Sequence, residues 1–161
     1  MMVKQTKRGT MVQVLRQAAR LIVVRRDNRV LLFRYEDDGR TWWAAPGGGL
    51  EGNETFEKAA AREAAEELSI TDPGLTPLWS QTVEFRFRGE SIRQVERYFL
   101  MRLSRGETAF GGLVGEAHRR EGIVASRWWS LDEIAAAGER IYPEDLVERL
   151  QRLVSAHWRV P

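Results

Sequence analysis

The chain has 161 residues, 43% hydrophobic and 30% charged, enough for one ordinary domain with a core and too few for two comfortable ones. A net charge of +2 is no nucleic-acid footprint, and the absence of cysteine removes disulfides, thiolate metal sites and cysteine nucleophiles. No apolar run exceeds four residues (Leu21 to Val24 is one), so neither a membrane span nor a secretory signal is expected, and a soluble cytoplasmic protein without membrane or stable nucleic-acid partners is the expectation.

Residues 1–17, with Lys4, Lys7 and Arg8, read as a flexible solvated arm, and 18–161 as a single domain. Alternation and β-branched content mark Ala18 to Val24 and Val30 to Tyr35 as strands, joined by a hairpin turn at Arg26-Asp27-Asn28-Arg29. A turn at Asp37-Asp38-Gly39 leads into the short strand Trp42 to Ala45, stopped by Pro46 and three glycines. Thr55 to Leu68 reads as a helix: Thr55 can cap it, Glu57 suits its first turn, and Phe56, Ala59, Ala60, Ala64 and Leu68 form an apolar stripe. Leu78 to Phe87 and Val95 to Arg102 follow as strands joined around Arg88-Gly89-Glu90. The glycine-rich stretch Ser104 to Ala125 reads as a long loop, and a lid over the substrate is its expected use. Arg127 to Ser130 is a further strand, and Ser130 with Glu133 has capping-box spacing for a short helix. A last helix starts near Pro143, with Leu146, Val147, Leu150, Leu153 and Val154 on one face. Interleaved strands and helices give an α/β or α+β class.

The chemistry concentrates between Gly48 and Ile70. Glu63, Glu66 and Glu67 stand at i, i+3 and i+4, so all three carboxylates are expected on one helix face. Like charges at that spacing cost roughly 0.2–0.5 kcal/mol per pair. They also occupy the last turns, where the helix dipole favours cations. A hard divalent cation such as Mg²⁺ resolves both conflicts, since it takes oxygen ligands together with waters and phosphates. A solvated acidic face softened by Arg62 is the plainer reading of the glutamates alone. Pro46-Gly47-Gly48-Gly49 just ahead adds a place where backbone can approach a metal or phosphate.

This segment resembles the Nudix box, G-x5-E-x7-R-E-U-x-E-E-x-G-U, in which U is a bulky apolar residue. Gly48, Glu54, Arg62, Glu63, Glu66, Glu67 and Ile70 match in register. Ala64 is smaller than the usual apolar residue, and Ser69 replaces the glycine that ends the helix. The resemblance implies a Nudix fold, a mixed β-sheet between helices with the box as loop–helix–loop. It implies a hydrolase in which Glu63, Glu66 and Glu67, with a backbone carbonyl at or beside Gly48, bind Mg²⁺ or Mn²⁺. The implied reaction is attack of water on phosphorus in a nucleoside diphosphate linked to another group, a small-molecule substrate. Glu54 and Arg62 are expected to brace the loop against the helix. The general base stays open between Glu63 and a later glutamate, Glu116 or Glu121.

Beyond the box, Trp42 and Trp43 are adjacent on a strand, so one is expected to face the core and the other a cleft. Arg34 is expected on the same cleft, and Phe85 occupies the position where ADP-ribose hydrolases of the family carry a proline. Arg34, Trp42 and Phe85 are therefore the candidate substrate-binding residues. Trp128 and Trp129 read as structural, and His118 and His157 lack partners at metal-ligand spacing. The substrate is not named by the sequence: a nucleoside triphosphate, a nucleotide sugar and a dinucleoside polyphosphate all fit. A catalytically silent nucleotide-sensing module is the alternative function. The related isomerase branch of the fold, which uses a cysteine, does not fit. Homodimers are common in the family, and the N-terminal arm or the Leu146–Val154 face could form one.

Overall fold

A computed structural model describes residues 3–5, 12–103 and 115–156. In chain order the elements are β1 (Val3–Gln5), β2 (Gln13–Val24), β3 (Val30–Asp37), β4 (Arg40–Ala44), β5 (Gly47–Gly49), α1 (Phe56–Leu68), β6 (Leu75–Phe87), β7 (Glu90–Arg102), α2 (Glu116–Arg120), β8 (Ile123–Trp129), α3 (Leu131–Ala135), β9 (Ile141–Tyr142) and α4 (Leu146–Ala156). The chain divides into two compact units, Met1–Ile22 with Pro46–Met101, and Val23–Ala45 with Arg102–Pro161.

In the first unit the strand order is β6–β7–β2, with β1 and β5 also paired to β2. Residues 13–17, expected in the arm, are strand, and Val3, Lys4 and Gln5 pair with Leu15, Val14 and Gln13. Backbone pairing overrides the polar composition of this stretch, which carries no apolar alternation to announce it. Helix α1 packs on β5. Its contact stripe is Ala59, Ala60 and Ala64, all fully buried, so the helix approaches the glycine strand closely. The small Ala64 thus matches a neighbour that has no side chains. Thr55 accepts a hydrogen bond from the Lys58 backbone at 3.2 Å, as its capping position requires.

In the second unit β3 pairs with both β4 and β8, antiparallel, and β4 pairs with β9 in parallel, so the sheet is mixed. Val30, Leu31, Leu32 and Phe33 are buried on both faces of β3, the pattern of a central strand. Leu146 and Leu150 of α4 are also buried, whereas Val154 on the same expected face is exposed. Ser130 and Glu133 form the capping box of α3 reciprocally, at 3.1 and 2.9 Å. The expected Ser104–Ala125 loop is corrected in part. Residues 116–120 are helix, and β8 begins at Ile123, where pairing with Tyr35 recruits it to the sheet. The lid reading falls on residues 104–114, which lie outside the described residues, as does His157.

Helix α1 ends at Ser69 with φ 57° and ψ 31°, the left-handed conformation anticipated for that position. The Ile70 backbone donates to the Ala64 carbonyl and Ser69 to that of Ala65, both at 3.1 Å, the Ser69 bond being that of a left-handed cap. Serine bears the strain that glycine would relieve, about 1 kcal/mol. Ser69→Gly should therefore raise the thermal unfolding midpoint by roughly 2–4 °C. An unchanged or lower midpoint would show that the cap is not strained.

Candidate active site

The glycine run that reads as a turn is strand β5, opposed to β2 with Ala18 against Gly49, Ala19 against Gly48 and Arg20 against Gly47. Its glycines are required by what lies beside them. A Cβ on Gly48 would collide with the Glu63 carboxylate, and one on Gly49 would meet Arg16 Nε at 2.9 Å. At Gly47, φ +143° and the adjacent Ala19 carbonyl exclude any side chain. Successive strand residues point to opposite faces. β5 therefore has a carboxylate against its α1 side and a guanidinium against the other.

On α1, Glu63 is 4% exposed and Glu67 6%, stacked one turn apart on the buried stripe. Glu66 lies off that stripe, its side chain 54% exposed. The three carboxylates divide by depth: Glu63 and Glu67 are buried, and the exposed Glu66 shares Arg62 Nη1 with Glu63. Among the described residues no three carboxylate or imidazole groups gather as a ready-made metal cluster.

Arg62 organises the rest. Its Nη2 donates to Glu54 Oε1 at 2.6 Å and to the Gly49 carbonyl at 3.0 Å. Its Nη1 donates to Glu63 Oε1 at 3.0 Å and to Glu66 Oε2 at 3.2 Å. One guanidinium thus ties the loop, the glycine strand and two carboxylates of the helix together. The Glu54 hydrogen bond is the largest cause holding Arg62 firmly protonated, against the opposing effect of burial and with help from Glu63. Glu54 also accepts from the Glu51 backbone at 2.8 Å, which closes the loop at its start.

The other predicted residues lie as follows. Glu116 opens α2 with its side chain 83% exposed and pairs with Arg120 at 3.4 Å. Glu121 ends that helix. Arg34 stands opposite Trp43 in register, and both donate to Glu139 Oε2 at 3.1 Å. Trp43 is buried against Trp129, while Trp42, on the other face of β4, stacks on Tyr35 with centroids 5.8 Å apart. Arg34 and Trp42 accordingly do not share a face, which corrects the expectation of one cleft. The alternation was read correctly for the tryptophans, but the register of β3 against β4 sets Arg34 with Trp43. Phe85, in the first unit, is half-buried on β6 opposite Ile92. His118 packs edge-on to Phe33 at 5.5 Å and accepts from the Gly115 backbone. Trp128 lies under Arg25 at 5.0 Å.

One charged group went unnoticed in the sequence. Glu96 on β7 is buried, with Arg20, Gln81, Gln94 and Tyr98 bonded to it. Burial pushes its carboxyl up, but Arg20 and the three neutral donors outweigh that and hold it below the ordinary value. The signal available was Gln94, Glu96 and Tyr98 at alternate positions. Val95 and Arg97 between them hide any contrast of faces.

Comparison with known proteins identifies the family and the fold. The family model described as the NUDIX domain matches residues 14–150. An RNA pyrophosphohydrolase of Pelagibacter ubique is 27% identical over 97 residues, covering 55% of this chain and 61% of that protein. A putative mutator protein MutT4 of Mycobacterium tuberculosis is 36% identical over 77 residues, covering 48% of this chain and 31% of that one. The match thus spans about three fifths of the first relative's length and less than a third of the second's. A MutT NUDIX hydrolase from Burkholderia pseudomallei shares the fold with a TM-score of 0.63 at 26% identity, covering 84% of this chain and 98% of that one. The chain belongs to the Nudix hydrolase family, with an α+β Nudix fold. Among the described residues no helix is long and apolar enough to cross a membrane.

The hydrogen bond from Arg62 holds the Glu54 carboxyl below its ordinary 4.5. A carboxyl depressed in the folded state stabilises it above the unfolded value, and that contribution is lost as pH falls from about 4.5 through the folded value. Wild type should therefore lose stability to urea steeply below that pH. Glu54→Gln should start less stable at neutral pH and lose less on acidification. Parallel pH profiles for the two proteins would remove Glu54 from the acid response.

Proposed function

We propose that the protein is a metal-dependent hydrolase that cleaves a diphosphate linkage in a nucleoside diphosphate joined to a second group. The observation that carries this reading is the burial of Glu63 and Glu67 side by side, with Glu63 pressed against a glycine that leaves it room. Buried carboxylates are held by a paired charge or a cation; Glu63 has Arg62 at 3.0 Å, and a second buried carboxylate one turn on makes a setting in which a divalent ion would be favoured. The donor set suits Mg²⁺ or Mn²⁺: hard oxygens only, few of them, with the remaining positions left to water and substrate phosphates.

In this reading Glu63, Glu66 and Glu67, with the Gly48 carbonyl, would hold the ion. When bound, the ion supplies charge neutralisation on the phosphates and a more acidic bound water. Arg62 keeps Glu63 and Glu66 in place and fixes the Gly49 carbonyl, so its part is to position. Water attacks phosphorus, a P–O bond forms, and the bridging P–O bond breaks to leave two phosphorylated products. The water's proton goes to a carboxylate, for which Glu63, beside the glycine strand, is our candidate. Glu116, strongly exposed and paired with Arg120, is the weaker one. Phe85 offers a half-buried ring to a base, whereas Trp42 and Arg34 are already engaged with Tyr35 and Glu139. The name of the first relative, an RNA pyrophosphohydrolase, favours cleavage of a diphosphate linkage without naming the substrate of this chain.

The test is product release from a panel of nucleotides, with Mg²⁺ against EDTA and wild type against Glu67→Gln. Turnover should require metal, and kcat in the variant should fall by more than the ~10–100-fold that losing an outer-shell partner costs. Binding of the panel without cleavage would replace the hydrolase by a nucleotide-sensing module.

A further inference from the structure

The outer edge of the sheet in the first unit is β6, which pairs with β7 alone among the described residues. Its 13 residues make a long edge, and a strand edge is a template for another strand unless something blocks it. Blocking devices sit only at its start, where Pro77 and a register shift between Pro77 and Ser80 interrupt the ladder. From Gln81 to Phe87 the pairing with β7 is continuous, and the segment Gln-Thr-Val-Glu-Phe-Arg-Phe is rich in β-branched and aromatic residues.

The hairpin turn decides which backbone groups that edge offers. Arg88 and Gly89 both have positive φ, 50° and 76°, so they form a two-residue type I′ connection. Such a turn closes on a hydrogen-bonded pair, here Phe87 with Glu90, and pairs of that kind recur at every second residue. Gln81, Val83, Phe85 and Phe87 therefore direct their backbone groups to β7, and Thr82, Glu84 and Arg86 direct theirs outward. The side chains alternate in the same way. Thr82, Glu84 and Arg86 are exposed on one face. Val83, Phe85 and Phe87 are half-buried on the other, where Ile92 and Gln94 of β7 are buried, so apolar packing on that face fades at the edge.

We propose that a second copy of this chain adds to this edge, β6 against β6, antiparallel about a two-fold axis at Phe85. Because the outward backbone groups belong to even-numbered residues, only registers that set even positions opposite even positions form hydrogen bonds. A two-fold at Glu84 or at Arg86 would set that charge against its own copy. One at Val83 would leave Glu84 facing Thr82 and Arg86 facing Ser80. A two-fold at Phe85 sets Glu84 opposite Arg86 and Arg86 opposite Glu84, so opposite charges meet twice. On the other face Phe85 then meets Phe85 and Val83 meets Phe87, aromatic and β-branched pairs of the kind that stabilise a sheet. A two-fold contact also closes on itself, so assembly ends at a dimer. Such a dimer does not depend on the hydrolase reading; the Phe85 ring offered there to a base stands beside its counterpart.

The test is sedimentation velocity of the full chain, with wild type, Glu84→Arg, Arg86→Glu and an equimolar mixture of the two variants. Wild type should dimerise with Kd below about 0.1 mM, a modest affinity suited to a small interface. Each variant alone sets like charges opposite each other at both pairs and should weaken the dimer by about tenfold or more. The mixture restores opposite charges at both pairs, and dimer formation should return to the wild-type level. A monomeric wild type, variants that dimerise alone as well as wild type, or a mixture that stays monomeric would each overturn the proposal. Both positions are exposed, so circular dichroism should show folded variants. Phe85→Cys reports the register without altering charge. The chain has no other cysteine, and non-hydrogen-bonded pairs lie close enough across strands for a disulfide. Oxidised Phe85→Cys should run as a covalent dimer, and cross-linking of Val83→Cys or Glu84→Cys in its place would overturn the register.

Discussion

The arrangement depends on a single guanidinium. Arg62 reaches back to Glu54 and the Gly49 carbonyl and forward to Glu63 and Glu66, so the loop, the glycine strand and the helix are held by one rigid fork. Arginine alone has enough donors in a fixed plane for this, and lysine would hold one partner at a time. Because the guanidinium is only partly exposed, its contacts are less screened than a surface pair. The last turn of α1 carries no basic residue of its own.

Close packing completes what Arg62 begins. Three fully buried alanines let α1 lie against β5, and β5 can accept the helix only because Gly48 leaves room for Glu63. A larger residue at 48 or 64 would push β5 away from the carboxylates of α1. The same economy appears on the far side of the strand, where Arg16 lies against Gly49. The short side chains of this segment are thus a condition of its charge arrangement.

How much of this could be read beforehand varied with the kind of signal. The α1 helix was clear in the sequence because Thr55, Glu57 and the apolar stripe agree locally, and Ser69 fell in the left-handed backbone that its position demanded. The short helix α3 was equally clear from Ser130 and Glu133. Strand β5 was hidden because glycines carry no alternation, and its pairing with β2 is a property of backbone alone. Helix α2, Glu116–Arg120, buries none of its residues, so no stripe announced it. The buried pair of carboxylates was half visible. Their spacing placed three glutamates near one another, but which two turn inward depends on where β5 lies and on Arg62 taking Glu66. The grouping of Arg34 with Trp43 rather than Trp42 is likewise a matter of strand register. Glu96 was invisible for a related reason: its partners come from three strands, and only their pairing brings them together.

The most direct test of the central claim is whether Glu63 and Glu67 bind a divalent ion together with a substrate phosphate chain. Mn²⁺ binding can be followed by electron paramagnetic resonance, with and without α,β-methylene-ADP, in wild type, Glu63→Gln and Glu67→Gln. Wild type alone should take up Mn²⁺ weakly, with a marked gain when the nucleotide analogue is added and loss of that gain in both variants. Equal Mn²⁺ binding in wild type and both variants would contradict it, and would return the acidic face of α1 to a purely structural role.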